Sequence, residues 1–145
     1  MSLNELGEKA TQLGAEKIVI IERWKSGFAR IRLLKVNGRI IQVPPCVYIR
    51  SIKARREFDT PRKPNRLLFI DNTDGENPEA EILIEGLSDF FGLPVMTAEK
   101  ALPEYHAAAR LAVDGSHAIR LSFHALPENV EIGPRVTVSH VEWEI

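Results

Sequence analysis

KIVIIERWKSGFARIRLLKVNGRIIQVPPCVYIRSIKARREF, Lys17 to Phe58, is the stretch whose reading decides the fold. Ile18 to Ile21 is an unbroken β-branched run, which predicts a strand buried on both faces. Lys25-Ser26-Gly27 is a turn, and Ala29 to Val36 returns with Ile31 and Leu33 on one face and Arg30 and Arg32 on the other. Asn37-Gly38 is the strongest hairpin signal in the chain. Arg39 to Val43 follows as a short strand, Pro44-Pro45 is read as its end, and Cys46 to Ile52 is a further strand. Arg55 to Asn65, basic and with two prolines, reads as a connector.

Outward from this stretch the chain falls into a basic and an acidic half. Residues 1–66 hold fifteen Lys and Arg against six Asp and Glu, a net +9. Residues 67–145 hold four against fourteen, a net −10, so the overall −1 conceals the asymmetry. Such a split suits one face that meets a polyanion and another that repels it. Mutual attraction of the halves is compatible with the same pattern.

Upstream, Ser2-Leu3-Asn4-Glu5 forms a capping box, and Leu3, Leu6, Ala10 and Leu13 recur at helical spacing up to Gly14. Downstream, Leu67 to Ile70 predicts a buried strand. Asn77-Pro78 with Glu79 and Glu81 opens a helix carrying Leu83, Leu87 and Phe90 on one stripe and ending at Gly92. Leu93 to Met96 is a short strand, and Thr97 caps a brief helical turn. Tyr105 to Val113 has alanines that favour helix, but Asp114-Gly115 between alternating stretches favours a hairpin, so a strand is expected. His117 to Leu126 and Arg135 to Trp143 complete the strands.

A divergent internal repeat emerges. ARIRLLKV, a loop, Pro45 and CVYIRSIKA parallel HAIRLSFHAL, a loop, Pro134 and RVTVSHVEW, while MSLNEL parallels MTAEKAL at Met96 to Leu102. The second copy has a strand–helix–strand at 67–96 whose counterpart would precede Met1. The expected class is therefore α+β: one domain, residues 1–145, of two similar halves. Each half has strands and one main helix, and the first is N-terminally incomplete. Without that unit, Ile18–Ile21 would lose cover, so the chain is expected to be marginally stable or to self-associate.

PPCVYIRSIKARREF resembles a segment of archaeal Brix-domain ribosome-biogenesis proteins, with Pro44, Pro45, Tyr48, Ile49, Ile52, Lys53, Arg56, Glu57 and Phe58 on the motif positions. IVIIERWKSGFARIRLLKV is similar to the family's preceding hairpin, and MSL to the step that opens its second helix. The resemblance covers residues 1–58 well and the rest by architecture. It implies a two-repeat fold related to the anticodon-binding domain of class II aminoacyl-tRNA synthetases, and a role in maturing ribosomal RNA. Two features depart from the pattern. Ser26-Gly27-Phe28 stands where the family has Gly-Asn-Pro, and the family's basic N-terminal segment has no counterpart here.

Arg30 and Arg32, two apart on a strand, share a face about 7 Å apart and form a candidate phosphate-contact pair. Lys25, Arg50, Lys53, Arg55 and Arg56 extend the candidate RNA-binding set. Trp24, Phe28 and Tyr48 could stack on unpaired bases, although Trp24 and Tyr48 fit core or rim positions better. Arg110 and Arg120, in the acidic half, are expected to contribute little. His106, His117, His124 and His140 make no metal-ligand spacing, and Asp71, Asp74, Glu76 and Glu79 miss the EF-hand pattern and read as a solvated turn. No nucleotide-binding or nucleophile-elbow motif is present. Cys46, the sole cysteine, sits in an apolar strand and fits a reducing compartment.

The expectation is a cytoplasmic, non-enzymatic protein without cofactor or metal that binds ribosomal RNA, possible further partners being ribosomal proteins or other assembly factors. No membrane association is expected. The alternative is a protein-interaction module whose acidic half docks a basic ribosomal protein.

Overall fold

A computed structural model describes residues 2–23, 28–54, 67–72, 77–100, 104–114 and 118–144. The elements are α1 (Leu3–Gln12), β1 (Lys17–Arg23), β2 (Ala29–Val36), β3 (Ile40–Lys53), β4 (Leu68–Asp71), α2 (Pro78–Phe91), β5 (Val95–Met96), a 3₁₀ turn (Ala98–Lys100), β6 (Ala107–Val113), β7 (Ile119–Ala125), β8 (Val130–Glu131) and β9 (Arg135–Glu142). The class is α+β with mixed sheet pairing. The chain forms two compact units, residues 1–49 with 140–145 and residues 50–139. The division into units falls within β3 and β9.

The first unit is built on the β1–β2 hairpin, antiparallel with Lys17 opposite Lys35 and Arg23 opposite Ala29. Strand order is β1-β2-β3-β9. Ser2 and Glu5 form the expected capping box of α1, and Gly14 takes φ +72°, the left-handed conformation that suits a helix stop. The expected apolar stripe of α1 is not uniformly buried. Ala10 is buried, whereas Leu13 is 75% exposed. The helix lies over Ile40, so close that a Cβ on Gly7 would stand 2.9 Å from Ile40 Cδ1.

Two expectations for this unit are corrected. β1 is a terminal strand with one face exposed, Val19 at 42% and Ile21 at 63%, while Ile18 and Ile20 are half-buried. A run of β-branched residues cannot by itself distinguish an edge strand from a central one. Pro44-Pro45 does not end a strand either, because β3 runs through both prolines. Its pairing with β2 jumps from Leu33–Val43 to Ile31–Val47, leaving Pro44, Pro45 and Cys46 opposite Arg32 alone. A bulge of this kind needs no ladder N–H from proline.

In the second unit the order is β9-β7-β6-β4-β5, with β8 on β7. β4 lies parallel to β6 and to β5, and the β6–β7, β7–β8 and β7–β9 pairs are antiparallel. The strand expected within Tyr105 to Val113 forms over Ala107–Val113, with Ala107, Ala108 and Ala109 buried in succession, so both faces of β6 are covered. α2 packs against β6 and buries Ala80, Leu83, Ile84 and Phe90. Leu87 is half-buried, not central to the stripe. Asn77 Oδ1 accepts from Ala80 N, Pro78 opens the helix, and Gly92 ends it in the left-handed conformation. No helix among the described residues is long and apolar enough to cross a membrane.

Candidate nucleic-acid interface

Hairpin register decides what surrounds the arginine pair. Glu22 of β1 stands opposite Arg30 of β2, and Ile20 opposite Arg32, which puts Glu22, Arg30 and Arg32 on one face. Arg30 Nε donates to Glu22 Oε1, and Arg32 Nη1 lies 3.6 Å from the same oxygen. Arg32 Nε also donates to Gln42 Oε1 at 3.1 Å. Both side chains are half-buried, 21% and 18% exposed. One carboxylate between two guanidiniums leaves a net positive charge, presented through fewer free N–H groups than an unpaired face would offer.

Tyr48 lies across from Arg30 on β3. It is buried, its ring stacked on His140 at 4.3 Å and its hydroxyl donating to Glu142 Oε2 at 2.7 Å. The bond to Glu142, with burial behind it, raises the phenol above its ordinary range. Tyr48 therefore acts as a packed brace for the arginine face, not as a free stacking platform. Phe28 is half-buried.

Of the other candidates, Arg50 and Lys53 are exposed on β3, in the second unit. Lys25, Arg55 and Arg56 lie outside the described residues, as does Trp24. Among the described residues no group of His, Cys, Asp and Glu is arranged to hold a metal ion. Cys46 is buried.

Sequence reading missed the role of Glu22. The signal was present, since centring the hairpin turn on Ser26 sets Glu22 against Arg30. It also missed a charged network in the second unit. Asp71, buried, accepts from Arg110 Nε at 2.7 Å. Glu131 accepts from Arg135 through Nε at 2.8 Å and Nη2 at 2.6 Å. Ser122 Oγ and His124 Nε2 are 2.9 Å apart. Asp71 belongs to a strand pair, not to a solvated turn, because β4 extends through it.

Burial, then the nearby Arg110, push His124 below its ordinary range, against the opposing pull of Glu131 and Asp71. Arg135 adds to the downward push. The bonds from Arg135 hold Glu131 below the usual carboxylate range. In the unfolded chain His124 binds its proton more readily, so stability should rise with pH up to about 6.5 and be lost below it. Glu131 contributes stability above about 4.5 that is lost as pH falls through its lower folded value. Thermal melts at pH 7.5 and 5.5 are expected to show a drop in Tm that shrinks in His124→Gln. An equal drop in both proteins would contradict this assignment.

No family model matches the chain, and no curated protein matches it. Among solved structures the chain is similar to the crystal structure of a probable ribosomal biogenesis protein from Aeropyrum pernix K1. The TM-score is 0.69 at 16% identity, over 95% of this chain and 75% of that one. Likeness at that identity establishes a shared fold.

Proposed function

We propose that this protein is a ribosome-biogenesis factor that binds ribosomal RNA through its basic first half, without catalysis or cofactor, in the cytoplasm. The observation that carries the reading is the Arg30–Arg32 pair, two guanidiniums against one Glu22 carboxylate on one strand face. A planar guanidinium grips phosphate with two hydrogen bonds, and such contact releases counterions. The fold shared with a probable ribosomal biogenesis protein supports the same direction.

Two similar halves of the Brix kind fit the order of elements. A helix, a hairpin and a further strand occur as α1, β1–β2 and β3, and again as the 3₁₀ turn, β6–β7 and β9. In each hairpin an arginine of the second strand approaches an acid at the end of the first. Arg32 lies 3.6 Å from Glu22, and Arg120 lies 3.9 Å from Asp114.

The test is RNA binding by fluorescence anisotropy across a salt series, with a structured ribosomal RNA fragment. Binding that ignores salt, or that fails at low salt, would count against the reading.

One observation favours a second reading. Glu79, Glu81, Glu85 and Asp89 are exposed on α2, and the helix has no base in its last turn. Like charges at four-residue spacing weaken a helix, so a basic protein partner would relieve them. On that reading Glu81→Ala with Glu85→Ala lowers capture of a basic ribosomal protein several-fold, and the arginine pair is silent. In the RNA reading the acidic pair is silent.

A further inference from the structure

One row of side chains crosses the second unit. Asp71 of β4 stands opposite Arg110 of β6, and Arg110 opposite Ser122 of β7. The next step beyond the Leu121–Val136 pair carries the row to Arg135 of β9. His124 lies two residues along β7, on the same face, opposite Glu131 of β8. The row thus sets a hydroxyl and an imidazole between two guanidiniums, each steadied by one carboxylate.

We propose that Arg110, Arg135, Ser122 and His124 form a cradle for a phosphate group, with buried Asp71 and Glu131 as the carboxylates that aim the guanidiniums. Asp71 takes Arg110 through Nε, and among the described residues it is the only acceptor Arg110 has. The terminal amino groups of this side chain, 21% exposed, are thereby left to an outside acceptor. The Ser122 hydroxyl, 2.9 Å from His124 Nε2, is a donor beside them when that nitrogen carries its proton, and a tetrahedral phosphate offers several acceptor oxygens to match. Lys53 stands close enough to act on the Glu131 carboxyl. Arg110 and Arg135 balance Asp71 and Glu131 within a half of the chain that is acidic overall, and Lys53, from the basic half, adds a positive field at Glu131. Burial first, and then the two arginines, hold the proton affinity of His124 low, and an arriving phosphate should oppose the arginines' share and raise it. The expectation from sequence that Arg110 contributes little is revised accordingly.

That the phosphate belongs to RNA rests on the function proposed above; the cradle itself does not. The full-length chain is titrated with inorganic phosphate against chloride at equal ionic strength, following the His124 imidazole by NMR. The same chain is titrated with an RNA hairpin by anisotropy. Asp71→Asn/Arg110→Gln removes both charges together, which avoids a buried unpaired ion, and Ser122→Ala is a milder second variant.

Saturable movement of the His124 signals, with a raised titration midpoint, is expected, and loss of that response in both variants. Roughly tenfold weaker RNA binding by the double variant would assign the cradle to an RNA phosphodiester. Unchanged RNA binding with the phosphate response intact in the parent would assign it to a free phosphate compound. No saturable response at His124 and no RNA loss in either variant would overturn the proposal, whatever Arg30 and Arg32 do. A phosphate response at His124 in a chain whose RNA binding ignores Arg30 and Arg32 would instead overturn the earlier reading alone.

Discussion

Replacing Arg30 and Arg32 together by alanine is expected to weaken binding of structured RNA by about 1–3 kcal/mol, roughly 5- to 150-fold. The range is that of charge-assisted hydrogen bonds. Its lower end applies if Glu22 keeps most of each guanidinium occupied, since Arg30 and Arg32 share its Oε1. RNA must then exchange a carboxylate for a phosphate. Glu22→Gln is accordingly expected to raise affinity several-fold by removing the competing charge. The loss in the arginine variant should be similar for RNAs of unrelated sequence, because backbone contacts carry no base information. An arginine pair with a purely structural role would give a different pattern: Glu22→Gln would destabilise the hairpin without improving RNA binding.

Phe69→Ala is expected to cost about 3–5 kcal/mol of folding stability, the range for deleting a fully buried aromatic ring. Phe69 has no exposed surface, and its ring meets Tyr105 edge-on at 5.2 Å. It precedes Asp71 by two residues on β4, so both point to one face. Loss of the ring would therefore loosen the strand that holds Asp71 against Arg110. Urea unfolding measures the cost directly, and a change under about 1 kcal/mol would show that the site collapses around the cavity.

Local signals were legible wherever the chemistry was local. Ser2 with Glu5, Asn77 with Pro78, and Gly14 and Gly92 marked the helix ends correctly because each acts through its own backbone. The β1–β2 hairpin was legible from alternation about a turn. The strand at Ala107 to Val113 followed from the hairpin signal at Asp114-Gly115, although its alanines favour helix. Non-local pairing was harder. Pro44-Pro45 reads as a strand end until the bulge opposite Arg32 is known. Exposure of Val19 and Ile21 depends on β1 being terminal in the strand order. The Asp71–Arg110 pair joins residues 39 positions apart through parallel pairing of β4 and β6, which no hairpin signal announces. Charge counting located the basic half but not the ion pairs inside it, so Arg30 and Arg32 read as freer than they are.

The slope of log K against log salt for RNA binding, compared between the parent and the Arg30→Ala/Arg32→Ala variant, tests the central claim most directly. Each phosphate neutralised releases its condensed counterions, so the parent should give a straight line of negative slope. The variant's slope is expected to be shallower by roughly one to two units. Parallel lines of equal affinity at every salt concentration would contradict the claim that this face binds the RNA backbone.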